Sequence, residues 1–250
     1  MMPYACGKKP ARPGSVTLKL SAVLNPAALP VPPDTFGWSE AVASWFMLGN
    51  DKFADCVLAG AAHETKLWAA ASGRYVPFTT TDVLEDYSAV TGFQIDDPAT
   101  DQGTDLQAAA AYRQKTGIRD AAGTRHKIDA YAAIAAADIS ELAMATWLFG
   151  AAGVGLQLPA SAQPQFNAGE PWSDVSGPGR TGHYAPCIGR NSAGNFLFVT
   201  WGRLQAATPQ WISTYMDEGL AYLSVEQLKD NVAPSGYNLD ALTQYLKELP

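Results

Sequence analysis

Hydrophobic and polar positions change their period part-way along the chain. In the first half, apolar residues recur at helical spacing. Between 55 and 71, Leu58, Ala61, Ala62, Thr65 and Trp68 share one face, and Asp55 stands where an N-cap belongs. Further helices are expected over 81–90, after the cap signals of Thr79 to Thr81, and over 105–116, stopped by Gly117. A fourth is expected over 140–149, capped by Ser140 and ended by Gly150. Past residue 150 the pattern turns into short apolar or alternating segments at 154–158, 185–189, 195–200 and 219–224, separated by Gly, Pro and Asn. Helices first and strands afterwards is an α+β order, not an alternating α/β one. A last amphipathic helix over 225–249 reads as a terminal cover. Residues 1–36 hold Pro26, Pro30, Pro32 and Pro33 and read as an extended surface arm, packed on the body or free for a partner. Within it, 15–20 alternates like an edge strand.

Composition narrows the function. Of the 250 residues, 47% are hydrophobic and 16% charged, which supports a sizeable core and excludes wholesale disorder. A net charge of −7 without a basic run speaks against nucleic acid as a partner. No apolar run of membrane-spanning length and no secretory h-region stand out, so a cytoplasmic protein not secreted by a signal peptide is expected. Three cysteines, Cys6, Cys56 and Cys187, are neither a disulfide framework nor a CxxC pair. With three histidines, no metal site and no cofactor are expected. The acidic group Asp96, Asp97, Asp101 and Asp105 lacks the spacing of a calcium loop and reads as a solvated loop.

The candidate chemistry starts at Cys56, in the first turn of the clearest helix, where free N–H groups and the helix dipole favour a thiolate and a depressed thiol pKa. Asn50 stands in the preceding loop, where an amide can donate to an oxyanion together with the Cys56 N–H. A base has to come from a histidine. His63 lies two turns along the same helix, about 10 Å away, too far for proton transfer. His126, between Arg125 and Lys127, reads as surface. His183 follows a glycine turn at the mouth of a strand and is placed to face a cleft. Cys187 shares its strand face by parity and reads as a buried strand cysteine.

In this order the residues resemble a divergent papain-like cysteine peptidase, of the cytoplasmic or phage-encoded kind. Asn50-x5-Cys56 is similar to the family's Gln-x5-Cys loop. Asp101-Gln102-Gly103-Thr104-Asp105 is similar to its glycine-bearing turn, and 144–158 to its helix-to-strand segment. Phe166, Gly169 and Trp172-Ser173 match the next stretch. Gly182-His183-Tyr184-Ala185 resembles the histidine motif, and 195–202 the strand ending in Asn-Ser-Trp-Gly. His183 follows Cys56 by about 130 residues, as in that family.

The resemblance implies a two-lobe fold. A helical lobe over 37–125 would carry the cysteine, and a β-barrel-like lobe over 126–250 the histidine, with the 1–36 arm in front. It departs from the family where the orienting asparagine belongs, which here is Val199. Thr200, a backbone carbonyl or Asn195 are the possible substitutes, and Trp201 is either a shield for the histidine or a core aromatic. The implied function is hydrolysis of a peptide or isopeptide bond by Cys56, His183 and Asn50. The alternative is a weakened or inactive module that binds a protein partner or assembles into a phage virion as a decoration or tail component. Either way no membrane partner is expected. The arm over 1–36 is long enough to occlude the cleft.

Overall fold

The computed structural model describes residues 4–24, 30–227, 232–233 and 235–236. The stretch expected to be an arm contains a short helix α1 (Leu20–Val23) and a strand β1 (Phe36–Gly37). The edge strand expected over 15–20 is not formed. Lys19 makes only an isolated parallel bridge to Ala133, and α1 begins at Leu20, where Leu20 and Val23 can turn into the core.

The central helix is α2 (Cys56–Ala71). Its alanine- and leucine-rich sequence has no β-branched run, and nearly every side chain is buried, as expected for a helix packed on all sides. Gly60 permits that packing, since a Cβ there would lie 2.4 Å from the Tyr184 ring. Helix α3 (Thr80–Thr91) starts with a full capping box between Thr79 and Asp82 and ends at left-handed Gly92. Helix α4 (Leu106–Lys115) is capped by Asp105. A small hairpin follows, β2 (Ile118–Arg119) with β3 (Arg125–His126).

The main sheet uses β4 (Ala130–Ile134), β5 (Ala152–Leu158), β6 (Thr181–Arg190), β7 (Phe196–Thr200), β8 (Arg203–Ala207) and β9 (Met216–Leu223). Helix α5 (Ile139–Phe149) joins β4 to β5, α6 (Ala162–Ala168) follows β5, and α7 (Pro209–Tyr215) joins β8 to β9. Strand order is β4-β9-β5-β6-β7-β8, every neighbour antiparallel, with β1 added to β6. The path ends at β4 and β8, so the sheet is open, which corrects the barrel-like expectation. The sheet instead covers both faces with helices. Tyr184 and Ile188 of β6 pack in the core that holds α2, and Ala185 and Cys187 in the core that holds α5, α6 and α7.

Three local expectations change. α5 is capped by Asp138, whose side chain accepts from the Glu141 N–H, rather than by Ser140. β6 begins at Thr181, so His183 lies inside the strand instead of before it. The terminal helix expected over 225–249 lies outside the described residues, apart from a 3-10 turn at Val225–Gln227. Among the described residues, no helix is long and apolar enough to cross a membrane.

Candidate active site

Cys56 opens α2, and its thiol is 1% exposed. Asp55 occupies the N-cap position, but its side chain makes no capping bond, because its backbone (φ −93°, ψ 10°) is already near-helical and does not aim the carboxylate at the free N–H groups. Both Asp55 oxygens are buried without a partner. Burial holds this carboxyl well above the usual range, against the lowering influence of the nearby Asn50 amide. Asn50 is itself buried and donates to the Phe53 carbonyl at 3.4 Å.

The expected depressed thiol pKa is not found. Burial pushes Cys56 up to about 12, although the Tyr184 and Gly7 backbone N–H groups both favour its thiolate. Tyr184 is the strand residue after His183, so the imidazole is carried one residue along β6 from the backbone N–H that reaches the sulfur. Burial alone lowers His183 to about 3. Its Nε2 meets Thr200 Oγ1 at 2.7 Å, while Nδ1 is buried without a hydrogen-bond partner.

Thr200 and Trp201 come from the end of β7. Trp201 and Gly202 form a two-residue hairpin loop to β8, both at positive φ (44° and 74°), as a type I′ turn requires. A tryptophan held at positive φ is strained, and its ring is what the strain places. It stacks on His183 with 4.7 Å between centroids and on Tyr4 at 5.2 Å. Asn195, five residues earlier, is in the far turn of β6–β7, about 16 Å along the strand from Thr200. There it donates its backbone N–H to Asn191 and takes no part in orienting the ring.

The other histidines are structural. His63 is buried against the Trp45 and Phe46 carbonyls. His126 is not on the surface as expected. It is buried between Asp120 Oδ2 (3.1 Å) and Glu226 Oε1 (2.8 Å), because the β2–β3 hairpin folds it inward. Cys187 is wholly buried against α5, with Thr146 beside it. Asp101 is not a free loop residue either, since it accepts from the Ala54 N–H and the Tyr87 hydroxyl. Asp105 caps α4 and pairs with Arg12.

The residues the sequence does not single out are those of the arm. Residues 4–9 run between the start of β6 and the turn at Gly103 and Thr104. The Lys8 N–H donates to the Gly182 carbonyl (3.1 Å), the Lys9 N–H to the Thr104 carbonyl (2.9 Å), and the Thr104 N–H to the Gly7 carbonyl (2.7 Å). The Gln163 side chain exchanges bonds with the Tyr4 N–H and carbonyl, and Trp201 Nε1 donates to the Ala5 carbonyl. Lys8 buries its ammonium between Asp217 (2.9 Å) and Glu218 (2.8 Å). Proline spacing hints at an arm, but no local pattern shows where it lies.

No protein-family model matches the sequence, and no curated protein is similar to it by sequence. Solved structures do match. Xylellain, a cysteine protease from Xylella fastidiosa, superimposes with a TM-score of 0.63 at 14% identity over 89% of this chain and 97% of that one. A procathepsin B from Trypanosoma congolense gives 0.61 at 9% identity (88% and 86% covered), and a recombinant stem bromelain precursor 0.58 at 15% (89% and 78%). The α+β fold is therefore papain-like. None of these three is a virion component, and the virion reading draws no support from them.

Proposed function

We propose that this chain is a papain-like cysteine hydrolase that cleaves peptide or isopeptide bonds with Cys56 and His183, and that residues 4–9 cover the site until they are displaced. The observation that carries this reading is the state of His183. One ring nitrogen is fixed by Thr200, and the other is left free beside the strand residue whose N–H reaches Cys56. Thr200 supplies the orienting acceptor that Val199 cannot.

In the uncovered site, His183 Nδ1 takes the thiol proton while Nε2–H donates to Thr200 Oγ1. The thiolate attacks the substrate carbonyl carbon. The oxyanion is met by the Cys56 N–H, free because it opens the helix, with the Asn50 amide as a second donor. The imidazolium then protonates the leaving amine, and water hydrolyses the thioester. Trp201 shields the His183–Thr200 bond from water.

The test is cleavage of unstructured peptides by the full chain carrying Gly7→Ala, which unseats the arm without narrowing the groove, since the new Cβ would lie 1.9 Å from the Ala54 carbonyl oxygen. Cleavage lost in Cys56→Ala and in His183→Ala supports the reading. A folded, uncovered protein with no Cys56-dependent cleavage overturns it in favour of a binding module.

A further inference from the structure

The groove that holds residues 7 and 8 is walled by glycines, each at a point where a side chain would strike the arm. A Cβ on Gly103 would sit 2.0 Å from the Gly7 carbonyl oxygen, one on Gly182 2.1 Å from the Lys8 carbonyl oxygen, and one on Gly155 2.8 Å from Lys8 Cδ. The first two leave room for a peptide backbone. The third leaves room for a long side chain beneath it. That side chain ends at two carboxylates, from Asp217 and Glu218 at the start of β9.

Asp217 is held in place independently of Lys8. Gln157 on the neighbouring β5 donates to Asp217 Oδ2 at 2.7 Å, and Asp217 Oδ1 is buried with no partner at all. Two adjacent acids, one of them oriented by a neighbouring strand and with an acceptor to spare, form a site for a cation on a stem. A lysine ammonium fills part of it, and a guanidinium, with five donors, matches the spare acceptor as well. A neutral or acidic side chain in the same place would leave two half-buried adjacent carboxylates without the counter-charge that Lys8 supplies.

We propose that Gly155, Gln157, Asp217 and Glu218 form a recognition pocket for a basic side chain, occupied by Lys8 in the covered form, and that the polypeptide this chain acts on presents Lys or Arg there. The proposal deepens the hydrolase reading and rests on it for the word substrate, while the binding itself does not need catalysis. Lys8 then acts as an internal competitor. The arm and the substrate cannot occupy the pocket together.

The experiment uses the full chain carrying Gly7→Ala and Lys8→Ala, which unseat the arm and vacate the pocket, and Cys56→Ala, which prevents turnover, after circular dichroism has confirmed the fold. Fluorescein-labelled hexapeptides with the sequence of residues 4–9, serine replacing Cys6, are titrated by anisotropy with Lys, Arg, Leu or Glu at the Lys8 position. Lys and Arg peptides are expected to bind at least about ten-fold tighter than Leu and Glu peptides, with the difference lost in Glu218→Gln. Equal affinity for all four, tighter binding of Leu, or no binding of any peptide overturns the pocket. Restoring Cys56 separates the two ideas. Tight Lys binding without turnover sinks the hydrolase and leaves the pocket, whereas turnover indifferent to this position does the reverse.

Discussion

Gly182→Ala is the cleanest way to ask what residues 4–9 do to Cys56. The new Cβ would lie 2.1 Å from the Lys8 carbonyl oxygen, against about 3.3 Å for an ordinary close C···O contact. That oxygen is main chain and its residue is tied on both sides, so the overlap is relieved only by lifting the arm. Lifting it breaks the Lys8–Gly182, Lys9–Thr104 and Thr104–Gly7 backbone bonds. At about 0.5–1.5 kcal/mol each, the loss is about 1.5–4.5 kcal/mol, which moves the covered/uncovered equilibrium by roughly ten- to a thousand-fold. The assay is iodoacetamide labelling of the full chain at pH 7.5, with peptide mapping to separate the cysteines. Cys56 alkylation is expected to rise at least about ten-fold. Cys187, in the core beside α5, is expected to stay unlabelled. A folded Gly182→Ala protein whose Cys56 labels at the wild-type rate refutes the idea that the arm is what protects the thiol.

Three further outcomes are expected. In the Gly7→Ala background, Thr200→Val removes the acceptor of a buried imidazole bond, worth about 1–3 kcal/mol, so kcat/KM should fall about ten- to a hundred-fold and the Thr200→Ser variant should restore it; unchanged turnover and pH profile in Thr200→Val would remove Thr200 from the site. Arg113→Met leaves Glu64 buried without its cation, and urea unfolding should show a loss of about 3–5 kcal/mol, since the pair sits at 2.6 Å with both side chains buried. Burial alone would lower His126, but the Glu226 and Asp120 carboxylates raise it above its ordinary value, while both carboxyls are held below theirs. The His126 contribution is therefore complete below about pH 6.5 and lost as pH rises through its raised value, and the carboxylate contributions are lost as pH falls below about 4. The stability difference between wild type and His126→Gln, read as urea midpoints, should peak near pH 5–6 and shrink by pH 9; a difference that grows with pH contradicts the pairing.

Helices α2 to α5 were legible because each carries its own period and end signals. Asp105 before α4, Gly92 after α3 and Gly150 after α5 mark their ends without outside help. The strand β7 was found at full length, and β5, β6 and β9 were found but cut short at their starts, since β6, for one, runs through Gly182 and His183, which in isolation look like a turn. β4, β8, α6 and α7 were missed. β4 lies in an alanine-rich run (Ala130, Ala132, Ala133) that spells helix locally and becomes a strand only by pairing with β9. At the site, the sequence offered Thr200 and Asn195 on equal terms, and only strand register separates them. His126 beside two basic residues looked solvated, and the acids that bury it come from positions 120 and 226. Lys8 and the Asp217–Glu218 pair are some 200 residues apart, a distance over which spacing carries no information.

On the proposed reading, the covered form would hold Cys56 and His183 unreactive without displacing either. The proposed hydrolysis would begin by moving a proton from the Cys56 thiol to the His183 ring, which creates two charges from none. Burial opposes both. It pushes the thiol up to about 12 and the imidazole down to about 3, so the proton would travel far uphill. What buries them includes the arm: Gly7 lies against Cys56, and Tyr4 covers the outer face of the Trp201 ring whose inner face covers His183. Withdrawing residues 4–9 admits water to the sulfur and lets its value fall toward the ordinary thiol range. The helix N-terminus and the Tyr184 N–H then favour the thiolate, opposed by the Asp55 carboxyl beside it. On this reading the same short segment sets access and reactivity together. A ligand that outbids Lys8 for Asp217 and Glu218 would release both at once.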